Sequence, residues 1–253
     1  MDNRKAVFAG NDGQVLAGRL ELPAGDVVAT AVFAHCFTCG KDSVAASRIS
    51  RRLAERGVAV LRFDFTGLGQ SDGDFANTTF TSNVDDLVCA AGHLRDTIGA
   101  PSVLIGHSLG GAAVLAAAHQ IPEVKAVVTI GAPFDTSHVE HLLGSSKEQI
   151  ETHGVAEVQL AGRPFRISNG FLLDINRQNQ TACIAGLDRA LLVMHSPQDD
   201  TVGVDNARLV FDSARHPKSF VSLDGADHLL TDRADAAYVA EVLAAWAGRY
   251  LVK

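Results

Sequence analysis

The chain has 253 residues, 47% of them hydrophobic and 20% charged, with a formal net charge of −7. That length and apolar content suit one large α/β domain. The mild acidity, with no basic run, argues against nucleic acid or an anionic membrane surface as the main partner.

Met1 to Lys5 leads into a strand-like stretch instead of the apolar core of a signal peptide. No apolar segment is long enough to span a bilayer, so no membrane insertion is expected and the default location is cytoplasmic. Val7–Ala9 and Val15–Leu22 read as two strands of a hairpin that turns at Gly10-Asn11-Asp12-Gly13. Val27 to Ala34 is nearly all apolar, as a buried central strand requires. A loop from His35 to Asp42 follows, then a helix over about 43–56, with Ser43 at its start and Gly57 as its stop. Val58–Phe63 is a second buried strand, and Asp64 to Gly73 is a glycine-rich loop. Apolar residues at Val84, Leu87, Val88, Ala91 and Leu94 predict a helix from Thr81 or Ser82 to about Ile98. Ser102–Ile105 is a strand, Gly111–Ala118 is helical, and Lys125–Ile130 is a strand again.

The alternation then breaks. Residues 135–188 read as an insertion forming a cap within a single domain of residues 1–253. Helices are expected near His138–Leu143 and Lys147–Glu151, a hairpin at Val155–Leu160 and Arg163–Ile167, and a helix over Asn169–Arg177. The core pattern resumes with a strand at Ala190–Met194, a helix at Val204–Ser213, a strand at Ser219–Leu223 and a helix at Ala234–Tyr250. Strands alternating with helices predict a mostly parallel sheet covered on both faces.

Gly106-His107-Ser108-Leu109-Gly110 lies between an apolar strand and a helix. In that setting Gly-x-Ser-x-Gly forms a nucleophile elbow. The two arms of so sharp a turn crowd each other, so residues 106 and 110 have no room for a side chain. The helix opening at Leu109 aims its N–H groups at the serine, where they favour developing negative charge. A serine hydroxyl needs a base, and the base needs an orienting acid. His228 is the candidate base, since it alone among the histidines stands between the last strand and the last helix. Asp199 is the favoured acid. In Asp199-Asp200-Thr201-Val202, Val202 would anchor the loop while Asp199 faces the site, leaving Asp200 to solvent. Asp227 directly precedes His228 and would reach its ring awkwardly. His107 reads as packing beside its strand, and His195 as a brace for the acid loop. Oxyanion donors should be backbone N–H groups. Leu109 supplies one, and Phe37, in the loop after the first central strand, is the candidate for the second.

These pieces together resemble the α/β-hydrolase superfamily over nearly the whole chain. They are His35-Cys36-Phe37, Phe63-Asp64-Phe65-Thr66-Gly67-Leu68-Gly69-Gln70-Ser71, the elbow, Asp199-x-x-Val202 and Gly225-Ala226-Asp227-His228. Within that superfamily the pattern is most similar to the serine hydrolase module fused to OsmC-like domains in some bacterial proteins. The runs His35 to Asp42 and Arg62 to Gly67 carry that likeness. The chain stops after its last helix, so no OsmC-like domain is expected on it. The resemblance implies the α/β-hydrolase fold, a mostly parallel sheet with helices on both faces and a small cap insertion. It also implies Phe37 and Leu109 as oxyanion donors, and a structural Asp64 that braces the neighbouring loops. Two departures stand out. Cys36 replaces the family's usual glycine and places a thiol near the site, and Gly203 follows Val202 where proline is common.

The expected activity is serine-dependent hydrolysis of small-molecule carboxylic esters through an acyl-enzyme, without cofactor or metal. The alternatives are a thioesterase, an amidase or aminopeptidase, or an acyltransferase on the same residues, then a non-catalytic binding module or a thiol-redox protein using Cys36-x-x-Cys39. His138-Val139-Glu140-His141 has metal-ligand residue types, but its glutamate is misplaced for a zinc-protease helix, and a solvated face is the better reading. Leu142, Leu143, Phe165, Phe171 and Leu172 in the insertion are candidates to line an apolar substrate pocket. The substrate and the oligomeric state stay open.

Overall fold

A computed structural model describes residues 2–36, 39–160 and 162–251. Strands β1 (Asp2–Ala9) and β2 (Val15–Leu22) form the hairpin. Strands β3 (Ala29–Ala34), β4 (Val58–Phe63), β5 (Val103–His107), β6 (Ala126–Ile130), β9 (Ala190–His195) and β10 (Lys218–Ser222) complete an eight-stranded sheet. Its order is β1-β2-β4-β3-β5-β6-β9-β10. The pairs β1/β2 and β2/β4 are antiparallel, and the rest are parallel.

The apolar runs explain the two layers. Successive strand residues face opposite sides, so Val32 and Ala34 of β3 join one core while Ala31 and Phe33 join the other. Helices α1 (Val44–Glu55) and α8 (Arg233–Leu251) cover one face through Ile49, Leu53, Val239 and Leu243. On the other face lie α2 (Phe80–Thr97), α3 (Leu109–Ala117) and α7 (Asp205–Ser213), through Leu87, Leu94, Val114 and Val210. No helix of the described residues is long and apolar enough to cross a membrane.

Between β6 and β9 the chain forms 3-10 turns over Thr136–Leu142, α4 (Ser146–His153), a two-stranded sheet of β7 (Val155–Leu160) and β8 (Arg163–Ser168), α5 (Asn169–Ile175) and α6 (Gln180–Ala185). The segment 138–143, expected as an ordinary helix, is in 3-10 turns instead, and α6 had no counterpart in the sequence reading. Helix α6 has six residues, too few for periodicity to show. Its polar Gln180 faces inward, where its amide donates to the Ala112 carbonyl of α3.

One buried acid bears on stability. Asp86 of α2 accepts hydrogen bonds from the Thr66 backbone N–H and hydroxyl. Burial, outweighing those bonds, raises its pKa from 3.8 to about 6. The folded state thus holds this proton more tightly than the unfolded chain does, and the contribution to stability falls as pH rises from about 4 to about 6. Relative to the parent, Asp86→Asn is expected to gain on the order of 2 kcal/mol between pH 4 and pH 7, read from urea unfolding at both values. Equal pH dependence in parent and variant would refute it.

Candidate active site

At the end of β5 the chain reverses into α3 through Ser108, whose φ of 55° and ψ of −128° lie outside the regions ordinary residues occupy. The surroundings enforce this turn. A Cβ on Gly106 would lie 2.2 Å from the Gly110 oxygen, and one on Gly110 would lie 2.5 Å from the carbonyl oxygens of Ala34 and His35. Absence of side chains at 106 and 110 is what lets α3 start against β3 and β5. The Ser108 backbone N–H donates to the Ile130 carbonyl at 2.9 Å, tying the turn to β6.

His228 and Asp199 reach Ser108 from loops after β10 and β9. Ser108 Oγ lies 3.0 Å from His228 Nε2, and His228 Nδ1 lies 2.7 Å from Asp199 Oδ2. A carboxylate only accepts, so Nδ1 carries the proton and Nε2 is left to accept from the serine hydroxyl. The second carboxylate oxygen of Asp199 accepts from the Thr201 and Val202 N–H groups at 2.9 and 2.8 Å. Burial opposes ionisation of Asp199, but the bonds from His228, Val202 and Thr201 outweigh it and hold the carboxyl below the usual range. Val202 is buried and anchors the loop. Asp200 is exposed and accepts from the Thr201 hydroxyl. Asp227 is bonded to the N–H and hydroxyl of Thr231, so it shapes the loop and does not meet the ring.

A buried charge network supports the loop after β3. Lys41 Nζ lies 2.6 Å from Asp64 Oδ2, with both side chains at most 3% exposed. Asp64 also accepts from the N–H groups of Lys41 and Gln70, which ties the loop after β3 to the loop after β4. Arg62 donates to the Lys41 carbonyl and pairs with Glu21 and Asp42. Lys41 was not singled out in the sequence. The available signal was Arg62, a charge within a buried parallel strand, which demands anionic partners nearby.

Leu109 is the first residue of α3, beside Ser108. Phe37, the other expected oxyanion donor, lies outside the described residues. The thiol expected at position 36 is not there: Cys36 and Cys39 are joined in a disulfide, as their three-residue separation permits. His138 and Glu140 are engaged elsewhere, the first with the Thr201 carbonyl at 2.9 Å and the second with Lys147 and Asn176. Among the described residues no group of three or more His, Cys, Asp or Glu side chains could hold a metal ion.

Of the five expected pocket residues, Phe165 packs against the cluster that holds Leu143, Phe171 and Leu172. Leu143, Phe171 and Leu172 are buried in the core, where they pack the insertion onto the sheet, and Leu142 is 41% exposed. Phe165 borders an open groove of about 450 Å³, between β8 and the loop after β4, with Cys39, Leu68, Phe75 and Arg166.

The whole arrangement can activate a hydroxyl: a serine on a strained turn, an imidazole nitrogen within hydrogen-bond distance of it, and a buried carboxylate orienting the imidazole. Comparison with known proteins agrees with the fold. The chain is 51% identical to the esterase domain of a Rhodothermus marinus protein, over all of both chains, with a TM-score of 0.83. It is 26% identical to the mitochondrial palmitoyl-protein thioesterase ABHD10 of Mus musculus over 213 residues, 81% of this chain and 70% of that one. The ferulic acid-bound Est1E of Butyrivibrio proteoclasticus, 20% identical over 98% of this chain and all of that one, shares the fold with a TM-score of 0.84. The family described as serine aminopeptidase, S33, matches residues 27–161, more than half the chain. The protein is therefore an α/β hydrolase and belongs to the serine aminopeptidase S33 family.

Proposed function

We propose that this hydrolase cleaves carboxylic esters through an acyl-enzyme on Ser108. The observation that carries the reading is the continuous line of hydrogen bonds Asp199–His228–Ser108 at the strained turn. His228 Nε2 takes the hydroxyl proton as Ser108 Oγ bonds to the ester carbonyl carbon. The N–H groups of Leu109 and Phe37 hold the resulting oxyanion, each essential donor being worth about 3–4 kcal/mol. The carbon–oxygen bond to the alcohol then breaks, and the alcohol leaves with the proton from His228. A water gives its proton to His228 and attacks the acyl carbon, and Ser108 departs with that proton. Asp199 keeps the imidazole in the required tautomer throughout.

The 51% identity to an esterase domain supports an oxygen ester as the bond cleaved. A thioester is the second reading, favoured by the relatives described as palmitoyl-protein thioesterases. The deciding experiment treats one sample with a fluorophosphonate to label Ser108 and, on untreated protein, pairs acyl oxyesters with acyl thioesters of the same chain length. We expect the probe to label Ser108 and to abolish turnover of the oxyesters. Failure to label the folded protein would reject the serine mechanism, and a kcat/KM at least tenfold higher for thioesters would replace the first reading by the second.

A further inference from the structure

Three buried histidines stand in a row along the edge of the sheet that carries the site. His35 directly follows β3, His107 ends β5 and His195 ends β9, and these strands run in the order β3-β5-β6-β9. None bonds to Ser108 or to the His228 ring nitrogens, although His195 Nε2 also lies 3.5 Å from Asp199 Oδ2. Each instead meets one backbone carbonyl in a loop of the site, at 2.7 Å: His35 Nδ1 with Cys36, His107 Nε2 with His228, and His195 Nε2 with Val202. Carbonyl oxygens only accept, so the facing ring nitrogen must be the protonated one. That fixes an Nδ1–H tautomer for His35 and Nε2–H tautomers for His107 and His195. Burial lowers the pKa of all three rings, to about 4 for His107. They are neutral donors at neutral pH and hold carbonyls instead of exchanging protons.

The contact of His107 is the most informative. It bridges 121 positions of sequence, from the elbow to the main chain of the base itself. Ser108, its neighbour, meets the ring of His228. Side chains of adjacent residues on a tight turn diverge, and here both reach one residue at opposite ends. Ser108 is engaged with the imidazole, and His107 holds the peptide from which that imidazole hangs. The His107 and His228 rings also pack, with centroids 5.2 Å apart. Other main-chain bonds of the loop include Leu223 N–H to the His195 carbonyl, Gly225 N–H to Gln198 Oε1, Ala226 N–H to Leu223, Leu230 N–H to Asp227, and Thr231 N–H to the Asp227 carboxylate. Beneath the Asp199–His228 pair lies Gly131, the residue after β6, where a Cβ would come within 3.2 Å of Asp199 Oδ2 and 3.4 Å of His228 Nδ1. The row is thus three histidines and one glycine: three side chains that pin loops, and one gap that leaves room for the acid–base pair.

We infer that His107 is a positioning residue for His228, clamping the base by its own carbonyl, and that His35 and His195 hold the loops of Cys36 and Val202 in the same way. The inference rests on the reading of Ser108 as nucleophile and His228 as base. A displacement near 1 Å can cost about 100-fold in rate, so loss of the clamp acts on kcat more than on substrate binding.

The test compares His107→Leu, which has no donor, with His107→Gln, whose amide N–H has a reach like that of Nε2–H. The readouts are kcat and KM on p-nitrophenyl butyrate, with thermal melting and fluorophosphonate labelling of Ser108. His107→Leu should lose about 10- to 100-fold in kcat, with KM within about twofold, and His107→Gln should recover most of it. Nitrogen-15 correlation spectra of the parent should show His107 and His195 as Nε2–H tautomers and His35 as Nδ1–H, a readout that stands even if the leucine variant fails to fold. A leucine variant as fast as the parent, a glutamine variant as slow as a folded leucine variant, or an Nδ1–H tautomer at His107 would each overturn the clamp. A parent that turns over ester while Ser108 resists labelling would instead strike at the underlying assignment of the nucleophile.

Discussion

Ser108→Ala is expected to lower kcat/KM on a p-nitrophenyl ester by about 10⁴- to 10⁶-fold, with KM little changed and the fold intact. Ser108 is only half-buried, and replacing its hydroxyl by hydrogen removes one contact, to His228 Nε2. The turn itself is held by its backbone bond to Ile130 and by the close approach around Gly106 and Gly110. Asp199→Asn should produce a smaller loss, about 10²- to 10⁴-fold. An amide can still bond to the ring, but it can present a donor where Asp199 Oδ2 only accepts, and so favour the wrong tautomer of His228. Turnover in the alanine variant within tenfold of the parent would remove Ser108 from the chemistry altogether.

The second large effect concerns stability. Asp64→Ala leaves the Lys41 ammonium in place, 3% exposed and without its nearest carboxylate. Breaking a buried pair from one side typically costs about 3–5 kcal/mol, because the remaining charge is uncompensated. Asp42 lies 3.4 Å from Lys41 Nζ and offsets part of this. Two backbone N–H groups, of Lys41 and Gln70, lose their acceptor as well. Urea unfolding should place the alanine variant about 3–5 kcal/mol below the parent. Pairing Asp64→Leu with Lys41→Met should recover a substantial share, since neither charge is then stranded. A single variant as stable as the parent would show that the network carries no stability.

The strands and helices of the sheet were legible because each is long enough to show its period. Val15–Leu22 and Val58–Phe63 have the same bounds in sequence and structure, and the other elements of the sheet and its helices differ by one to five residues at an end, where turn bonds and not periodicity decide. The insertion was harder. Its elements are short, its 3-10 turns have no apolar stripe to speak of, and α6 is six residues of mixed character. The choice of Asp199 over Asp200 came from the spacing to Val202, and the structure brings Asp199 to the ring of His228. Phe171 and Leu172 are apolar residues of an insertion that leaves the sheet at the C-terminal ends of its strands, which makes them pocket candidates in the sequence. Burial within the core depends on which neighbours the cap finds, and a sequence does not state that.

What the sequence determined by itself is the order of parts. A glycine-flanked serine between strand and helix, an aspartate after one late strand and a histidine after the next can only gather at one edge of a parallel sheet, because every strand of such a sheet ends on that side. What only the tertiary structure decided is how those parts are held. That Lys41 is buried against Asp64, that Cys36 is joined to Cys39, and that His107 meets the carbonyl of a residue 121 positions away are facts of distance. A histidine beside a serine has the same local pattern whether it packs or clamps. Only the approach of the His228 peptide, fixed by the packing of β10 and α8 on the sheet, gives its proton somewhere to go.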